Sequence, residues 1–306
     1  MPELPDITIY VEALQRHIVG APLARVRIAS PFVLRTFDPP IQAAEGKTVQ
    51  GVRRIGKRIV LALEEELFLI VHLMVAGRLR WRKRGAVVPR GRGLGAFDFP
   101  DGCLLFTEEG TKHRAGLWLV QGEASLASHD PGGLEPLGLS LDVFASTLTA
   151  ARHTLKRRLT DPHVFSGIGN AYSDEILHAA KLSPLQLTTN LDPDEIERLH
   201  RAVQQTLLSW TDRLRAETGD GFPEKVTAFR DEMAVHGRYR RPCPVCSAPV
   251  QRIRYAENEV NYCAVCQTGG KVLADRAMSR LLKEDWPRSI DEWNAMAGRS
   301  PTGQSP

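Results

Sequence analysis

Residues 241–268, RPCPVCSAPVQRIRYAENEVNYCAVCQT, contain two C-x2-C pairs separated by sixteen residues. Each pair can form a tight knuckle that presents two thiolates to one cation, and a β-hairpin between the knuckles completes a tetrahedral sulfur site. The segments PVQRIRY and EVNYC alternate in the manner of strands and fit such a hairpin. The spacing predicts a metal site that is closed, and therefore structural, with four ligands: Cys243, Cys246, Cys263 and Cys266.

Zinc is the metal that this site is expected to hold, one ion per chain, because nothing else in the sequence suggests redox chemistry. A rubredoxin-like iron site has similar spacing and stays open as an alternative. Disulfides are not expected, because the start MPELPDITIY lacks the features of a secretion signal. The fifth cysteine, Cys103, lies in an apolar stretch and is expected to be an ordinary core thiol.

The composition is that of a soluble globular protein, with 306 residues, 42% hydrophobic and 25% charged. This length favours about two domains. No apolar run approaches the roughly 20 residues of a membrane span, so no membrane association and a cytoplasmic location are expected. Lys and Arg number 40 against 36 Asp and Glu, and this net charge of +4 permits a polyanionic partner without requiring one.

The pattern of apolar residues predicts an α+β multidomain chain. One amphipathic helix is predicted over 5–19, followed over 23–121 by short alternating runs of a mostly antiparallel sheet domain. Further helices are predicted over 142–160, 170–181, 193–216 and 222–235. The predicted divisions are an N-terminal domain 1–127, a Gly- and Pro-rich linker 128–141, a helical domain 142–236, a finger 237–270 and an extension 271–306.

Basic residues are concentrated in a few segments. Residues 76–92 contain seven basic residues and no acidic one, and ARHTLKRRL at 151–159 adds four more. Five arginines lie beside or within the finger, in HGRYRRP and QRIRY, where they form either a phosphate-binding surface or a merely solvated one. This segregation of basic and acidic residues favours a nucleic acid as the binding partner.

The residues after the initiator suggest an amine nucleophile. Because Pro2 is small, Met1 is expected to be removed, which leaves a secondary amine. Such α-amino groups titrate near 7.7–8.0, so a usable fraction is neutral and can attack an electrophilic sugar carbon. The neighbouring carboxylate of Glu3 could transfer protons during that attack.

Several segments occur in an order that carries a family resemblance: MPELPD, RRIGKRIVL, HLMVAGRL, GIGNAYSDEILHAAKLSPLQ, VHGRYRRPCPVC and CAVCQ. Together they resemble the formamidopyrimidine-DNA glycosylase and endonuclease VIII family over about residues 1–267. The resemblance implies an N-terminal β-sandwich with flanking helices, a helix-two-turn-helix domain and a C-terminal zinc-ribbon finger, with DNA held between domains. The implied reaction is excision of an oxidised base, followed by cleavage of the abasic strand.

The resemblance also implies roles for individual residues. Pro2 would be the nucleophile at sugar C1′, Glu3 the acid/base, and Lys57 a phosphate contact and proton-transfer group. His72 and Asn170 would contact phosphate, and the glycines of GIGN together with a helix N-terminus suit that task. Further positions are predicted to contact DNA: Met74, Val75, His113, Arg114, Arg238, Arg254 and Asn258.

The chain departs from the family pattern at three places. Asn258 stands where the family has a finger arginine used in δ-elimination, which puts that second cleavage in doubt; Arg252 or Arg254 could substitute. Val75 holds the position of a methionine wedge, and a one-residue strand shift is expected to turn Met74 to the opposite face. TKHRAG replaces the arginine and phenylalanine wedges and leaves Lys112, His113 or Arg114 near the gap left by a flipped base.

The sequence therefore predicts a monomeric base-excision DNA glycosylase with β-elimination lyase activity, acting on damaged DNA, duplex or single-stranded, and associated with the nucleoid if the source is bacterial. Two alternatives remain, an abasic-site lyase with little glycosylase activity and a non-catalytic protein that binds damaged DNA. The extension carries apolar residues that are expected to pack on the protein before a disordered end: Leu273, Met278, Leu281, Leu282 and Trp286.

Overall fold

The computed structural model describes residues 1–110, 112–227, 229–255, 258–274 and 287–297. The chain forms two compact units. Unit 1 comprises Met1–Glu135, Phe165–Gly167 and Leu207–Ala228, and unit 2 comprises Pro136–Val164, Ile168–Thr206 and Phe229–Pro306. The contiguous domain boundaries drawn from the sequence remain predictions.

Unit 1 opens with helix α1, Leu4–Ile18, close to the predicted span. Glu3 caps the helix, and the Glu3 amide donates to Asp6 Oδ2 at 3.0 Å in a capping box that satisfies otherwise unpaired groups of the first turn. Three apolar side chains at helical spacing, Ile7, Leu14 and Ile18, are fully buried. The helix is therefore oriented by one apolar face.

Two four-stranded antiparallel sheets follow, and they confirm the expected β-sandwich. The first has the order β1-β6-β7-β5 and the second β2-β3-β4-β8. The strands are β1 Arg25–Ile28, β2 Val49–Ile55, β3 Arg58–Leu63, β4 Leu67–His72, β5 Gly77–Arg82, β6 Gly93–Phe99, β7 Gly102–Glu108 and β8 Gly116–Gln121. They coincide with the alternating runs of the sequence.

The second sheet is buried on both faces. On one face, Ile59 and Leu61 belong to the main core that α1 and the first sheet share. On the other face, Val60 and Ile70 pack with Leu126 of the short helix α2, Glu123–Ala127. Because both faces are covered, this sheet is a firm support for the loops at its ends.

Helices dominate the middle of the chain, as predicted, but one predicted helix is interrupted. The predicted helix 142–160 is two helices, α3 Leu141–Thr149 and α4 Leu155–Thr160, each capped by a side-chain oxygen, of Ser140 and of Thr154. Because Thr154 caps a new helix, the chain cannot continue α3 through it. The other two helices are α5 Asn170–Ala179 and α6 Pro193–Thr218.

The prediction of a helix over 222–235 is wrong. The described residues of this segment are irregular. Phe222 packs against Tyr10, and Val226 joins the core of unit 1, whereas Met233 and Val235 are buried in unit 2. The apolar residues have helical spacing because they anchor an extended chain in two cores, and not because they form one helical face.

The finger contains the predicted hairpin, β9 Gln251–Tyr255 and β10 Asn258–Tyr262, followed by helix α7 Ala264–Thr268. Helix α8, Ile290–Ala297, lies in the extension, where Leu273 and Trp293 pack against the hairpin core. Met278, Leu281, Leu282, Trp286 and the end predicted to be disordered lie outside the described residues. None of the helices in the described ranges has the length and apolar character to cross a membrane.

Candidate nucleic-acid interface and metal centre

The N-terminal residues are held firmly within unit 1. Pro2 is buried and Glu3 is only 2% exposed. The Leu4 amide donates to the Gly167 carbonyl at 2.9 Å, and Gly167 adopts a positive φ of 80°. A Cβ at Gly167 would lie 2.8 Å from Leu4 Cβ, so the close approach requires glycine. The candidate nucleophile and the candidate acid/base thus begin a fixed helix and not a frayed end.

The amino group of Met1 has a pKa below its ordinary value of 8.0, chiefly because burial disfavours the ammonium form. The positive charges of Arg78 and Lys57 lower this pKa further, while the carboxylates of Glu3 and Asp6 oppose the shift. The structure therefore brings the chain terminus, Glu3 and Lys57 into one electrostatic environment, and that environment favours a neutral amine.

Lys57 occupies a two-residue turn between β2 and β3, because Ile55 pairs with Arg58. Gly56 has φ 57°, which suits the first central position of such a turn. The Arg54 guanidinium donates to the Gly56 carbonyl at 2.8 Å and to Ser166 Oγ at 3.1 Å, and it also pairs with Glu135. Arg54 therefore fixes both the Lys57 turn and the segment beside Gly167.

His72 ends β4, where it pairs with Arg58 of β3 and Gly116 of β8. Burial lowers the pKa of His72 to about 4, with further contributions from the charges of Arg58 and Lys57. The imidazole is therefore neutral near pH 7, so it can donate a hydrogen bond to phosphate without being a cation.

Met74 and Val75 lie in the turn that follows β4, so the strand-face argument for Met74 is wrong. Met74 has a left-handed φ of 51° and is partly buried, whereas Val75 is 61% exposed. The Gly77 amide donates to the Leu73 carbonyl at 2.8 Å and closes the turn. The conformation of the turn, and not strand alternation, decides that Val75 is the exposed residue.

The buried carboxylate of Glu108 organises residues 112–115. Its Oε1 accepts from the Arg114 amide at 3.0 Å and from the Ala115 amide at 3.2 Å. Its Oε2 is buried, and His113 Nδ1 lies 3.6 Å away. Lys112, His113 and Arg114 are all exposed, and Ala115 is buried. The loop therefore presents basic side chains from an ordered backbone.

Part of the expected positive surface is neutralised within unit 1. Glu109 accepts from both Arg80 and Arg92, and Glu224 pairs with Arg82 through two hydrogen bonds. These ion pairs make the basic segment 76–92 less positive than its sequence suggests. The sequence did not reveal them because the acidic partners are distant along the chain.

In unit 2, Asn170 is the first residue of α5, as the GIGN motif predicts. Its Nδ2 donates to the Glu259 carbonyl at 2.8 Å and so joins the helix to β10. Below it lies a buried network: Lys156 Nζ contacts Asp174 Oδ1 at 2.5 Å, and His236 Nδ1 contacts Asp174 Oδ2 at 2.8 Å. This network fixes the finger relative to the N-terminus of α5.

The four predicted cysteine ligands converge. All four sulfur atoms lie within 4.8 Å of one another, with Cys243 Sγ to Cys266 Sγ at 3.9 Å and Cys246 Sγ to Cys263 Sγ at 3.3 Å. Zn–S bonds of about 2.3 Å in a tetrahedron require sulfur separations of about 3.8 Å, so this cluster fits one metal ion.

A buried histidine supports the cysteine cluster from α5. His178 Nε2 lies 3.3 Å from Cys243 Sγ, and in the tautomer protonated at Nε2 it donates to that sulfur. In addition, Gln267 Oε1 accepts from the Cys263 amide, and its Nε2 donates to the Leu182 carbonyl. Such supporting contacts orient metal ligands and hold the finger against the helical part of unit 2.

The remaining DNA-binding candidates of the finger have different surroundings. Arg238 donates to the backbone carbonyls of Asp231 and Pro242, so its guanidinium supports the fold of this segment. Arg254 is exposed on β9, and Asn258 begins β10. Arg252 lies over the Tyr239 ring at 4.1 Å.

Sequence reasoning missed Arg54, Glu108, Asp174 and His178. Each acts through a partner that is distant along the chain or through a backbone group, so no local spacing marks it. A signal existed only for Arg54, which lies three residues before the predicted Lys57.

Two domain models match the chain. The formamidopyrimidine-DNA glycosylase N-terminal domain matches residues 1–130, and the formamidopyrimidine-DNA glycosylase H2TH domain matches residues 133–213. A formamidopyrimidine-DNA glycosylase of Symbiobacterium thermophilum is 32% identical over 281 residues, which covers 87% of this chain and 89% of the relative. An uncharacterised formamidopyrimidine-DNA glycosylase-like protein of Mycobacterium tuberculosis is 42% identical over 151 residues, 49% of this chain and 94% of that one.

Solved structures agree with this assignment. The Lactococcus lactis enzyme in complex with abasic-site DNA has a TM-score of 0.77 and 26% identity, covering 87% of this chain and 99% of that one. Its complex with DNA containing an oxidised pyrimidine has a TM-score of 0.76 and 25% identity, and the match covers 87% of this chain and 100% of that one. The chain therefore belongs to the formamidopyrimidine-DNA glycosylase family, the DNA glycosylases and abasic-site lyases that act on oxidised bases.

Proposed function

We propose that the chain excises oxidised bases and cleaves the resulting abasic strand through an iminium formed by Pro2. The observation that carries this proposal is the burial of Pro2 beside Glu3 at the start of α1, where the amine of Met1 has a lowered pKa. Removal of Met1 would place the Pro2 nitrogen at the terminus of the same capped helix. A neutral secondary amine there is a nucleophile without further activation.

The chemistry divides into steps that each conserve atoms and electrons. The amine lone pair forms the N–C1′ bond as the damaged base leaves with the electrons of its glycosidic bond and takes a proton from solvent, and the proton of the attacking amine passes to the Glu3 carboxylate. Glu3 then protonates the ring oxygen as C1′–O4′ breaks, which yields the iminium. Loss of a C2′ proton expels the 3′ phosphate by β-elimination, and water finally hydrolyses the iminium.

The other candidates hold the strand during these steps. Lys57 lies close enough to the terminus for its charge to lower the pKa of the Met1 amine, and it is suited to contact phosphate and move protons during elimination. His72 contributes a neutral donor, and the exposed Arg114 contributes charge. In unit 2, Asn170 and the finger arginine Arg254 are suited to a second part of the backbone.

We infer that the metal of the finger is zinc, because four thiolates in a tetrahedral arrangement with no open position suit a structural zinc ion. Zinc would hold the C-x2-C knuckles and the hairpin that carries Arg254, and it would take no part in bond cleavage. With DNA as the substrate, the chain would act at the chromosome.

Borohydride trapping tests the proposal. An oligonucleotide with an abasic site should become covalently attached to the mature protein, and an extension that acylates the Pro2 nitrogen should abolish attachment. Lys57→Ala should slow strand cleavage by about 100-fold, in the range expected for loss of a proton-transfer group, whereas the exposed Lys83→Ala should not. Absence of trapping, with Pro2 confirmed as the first residue by mass spectrometry, would contradict the proposal.

The rate of trapping should also depend on pH. Only the deprotonated amine attacks, so the rate should fall as pH decreases through the pKa of the amine. Burial lowers the pKa of the Met1 amine from 8.0, and the Pro2 amine would lie one residue farther into the same surroundings, so we expect the inflection below 8.0. Single-turnover trapping between pH 5 and 9 measures it, and an inflection at or above 8.0 would show that the Pro2 amine lacks this environment.

A second candidate, abasic-site lyase activity with little base excision, is favoured by one feature. Val75 holds the position of the family's methionine wedge, and its shorter side chain fills less of the space that a flipped base leaves. A panel of lesions in single- and double-stranded DNA distinguishes the candidates, since a lyase alone cuts abasic DNA and leaves every modified base in place.

A further inference from the structure

An exposed aromatic ring projects from a rigid turn in unit 1. Pro31–Val33 form one 3-10 turn, in which the Val33 amide donates to the Ser30 carbonyl at 3.1 Å. The Val33 side chain is buried in the core, whereas the ring of Phe32 is 82% exposed. Pro31 and the buried Val33 therefore fix the backbone on both sides of a ring that makes little contact with the core.

The sheet register places this ring at the end that carries the candidate site. Leu34 forms a parallel bridge with Leu117 of β8, and the Arg35 amide donates to the Leu117 carbonyl at 2.8 Å. Phe32 precedes Leu34 by two residues and Ala115 precedes Leu117 by two, so the parallel bridge sets the 3-10 turn and the 112–115 loop at the same end of β8. Gly116 in turn pairs with His72, and His72 with Arg58, next to Lys57.

The surroundings of Phe32 are basic. Arg35 is exposed, and its Nη2 donates to the Ala115 carbonyl at 3.3 Å, which connects the turn to the 112–115 loop. Lys112 and Arg114 are exposed on that loop. The carboxylate of Glu108 faces inward to backbone amides, and that of Glu109 is paired with arginines. The acidic residue nearest to Phe32 in the sequence on this side of the sheet connection is Asp38, which follows Phe37.

An accessible aromatic ring surrounded by cations is the arrangement that binds nucleic acid by stacking on a base while the cations contact phosphate. The occupant with this chemistry is a DNA strand. Val75, exposed in the turn after β4, offers only a small aliphatic side chain and no ring for stacking.

We propose that Phe32 stacks on a base at the lesion site and occupies space left when the damaged nucleotide is flipped out. This inference rests on the proposed function, since flipping exposes base faces that need a partner. Phe32 is then a DNA-contacting residue that sets how well the enzyme engages duplex DNA, and it takes no part in the covalent steps.

The same loop provides a matched control. Phe37 is 80% exposed, but it follows Thr36, whose hydroxyl bonds Leu119 farther along β8. The register therefore places Phe37 away from the 112–115 loop. Phe32→Ala and Phe37→Ala remove the same ring from equally exposed positions.

The experiment uses the full chain and a duplex with a tetrahydrofuran abasic analogue beside 2-aminopurine. Phe32→Ala should weaken binding about tenfold, the scale of one lost base stack, and change the 2-aminopurine fluorescence of the complex. Phe32→Trp should restore both the affinity and the fluorescence. Phe37→Ala should change binding less than twofold. Borohydride trapping of single-stranded abasic DNA should be unaffected in every variant, which shows that each is folded. Equal binding and fluorescence for Phe32→Ala and Phe37→Ala would overturn the inference, while absence of trapping by the unmodified chain would instead contradict the proposed function.

Discussion

At the scale of single residues, the environment decides which chemistry each candidate can perform. The amine and His72 both have lowered pKa values, with burial as the largest cause. The consequences differ, because a neutral amine gains nucleophilicity whereas a neutral imidazole loses the charge that would attract phosphate. The charge of Lys57 contributes to both shifts, so the two groups share part of one electrostatic environment.

The pKa of His72 leads to a prediction about DNA binding. A histidine with a pKa of about 4 is neutral at both pH 6 and pH 8, so its contribution should be the same at both. We expect His72→Ala to weaken binding to an abasic-analogue duplex by a factor of about 2 to 10 at either pH, the net value of one hydrogen bond. Fluorescence anisotropy measures both affinities. A loss that is much larger at pH 6 would indicate a charged imidazole instead.

At the scale of elements, glycine and buried polar side chains hold the active segments together. Gly167 lets the 165–167 segment approach α1 closely, and Arg54 joins that segment to the Lys57 turn. The Lys156–Asp174–His236 network similarly joins α4, α5 and the entry to the finger. Functional loops are therefore positioned by side chains that belong to neighbouring elements.

Gly167→Ala should destabilise the fold and slow trapping, because the new Cβ would lie 2.8 Å from Leu4 Cβ at a positive φ. Gly132→Ala is the matched control, since Gly132 has the same φ of 80° and a Cβ added there would have nothing within 4 Å. Both variants incur backbone strain of about 1–3 kcal/mol. Only Gly167→Ala should also reduce the trapping rate, as measured beside thermal unfolding, and equal effects would show that the contact with Leu4 is unimportant.

His178→Ala should weaken metal binding about 10- to 100-fold, because the contact to Cys243 Sγ supports a ligand. Competition with a chelator measures the affinity directly. His200→Ala is the control, since His200 bonds the Leu139 carbonyl rather than a cysteine. Unchanged metal affinity in His178→Ala would show that this contact only fills space.

At the scale of the whole molecule, the two units carry different parts of the task. Unit 1 contains the terminus, Lys57, His72 and Phe32, all supported by the sandwich. Unit 2 contains Asn170, the cysteine cluster and the finger arginines. The proposed function would thus place the chemistry at the sugar in unit 1 and contacts to the flanking backbone in unit 2.

Removal of the metal should affect the units unequally. The cysteines form their own small core with Val235 and Val250, so chelation should expose the finger hairpin while the sandwich stays folded. Hydrogen exchange should show loss of protection over 251–262 and retained protection in β3 and β4. Duplex affinity should fall, and equal loss of protection in both units would contradict this division.

Much of this could be predicted from the sequence, because its signals are local. The cysteine spacing, the alternating strands and the amphipathic helices depend on nearby residues, and they correctly predicted the hairpin, an antiparallel sheet domain and α1. The helix predicted over 222–235 was wrong, because the apolar residues of that segment belong to two different cores. The pairing of Arg80, Arg82 and Arg92 with Glu109 and Glu224 could not be predicted either, since no local rule relates residues this far apart.

Residue type and spacing in the sequence predicted the four cysteines of the candidate metal centre and the Pro2 and Glu3 candidates, and the resemblance of its motifs indicated the family and added Lys57. Only the tertiary structure decided that Val75 rather than Met74 is exposed, that His72 is neutral, and that Arg35, three residues after Phe32, contacts Ala115 of the 112–115 loop. Exposure, pKa and proximity depend on what the rest of the chain places around a residue, and long-range packing alone fixes those surroundings.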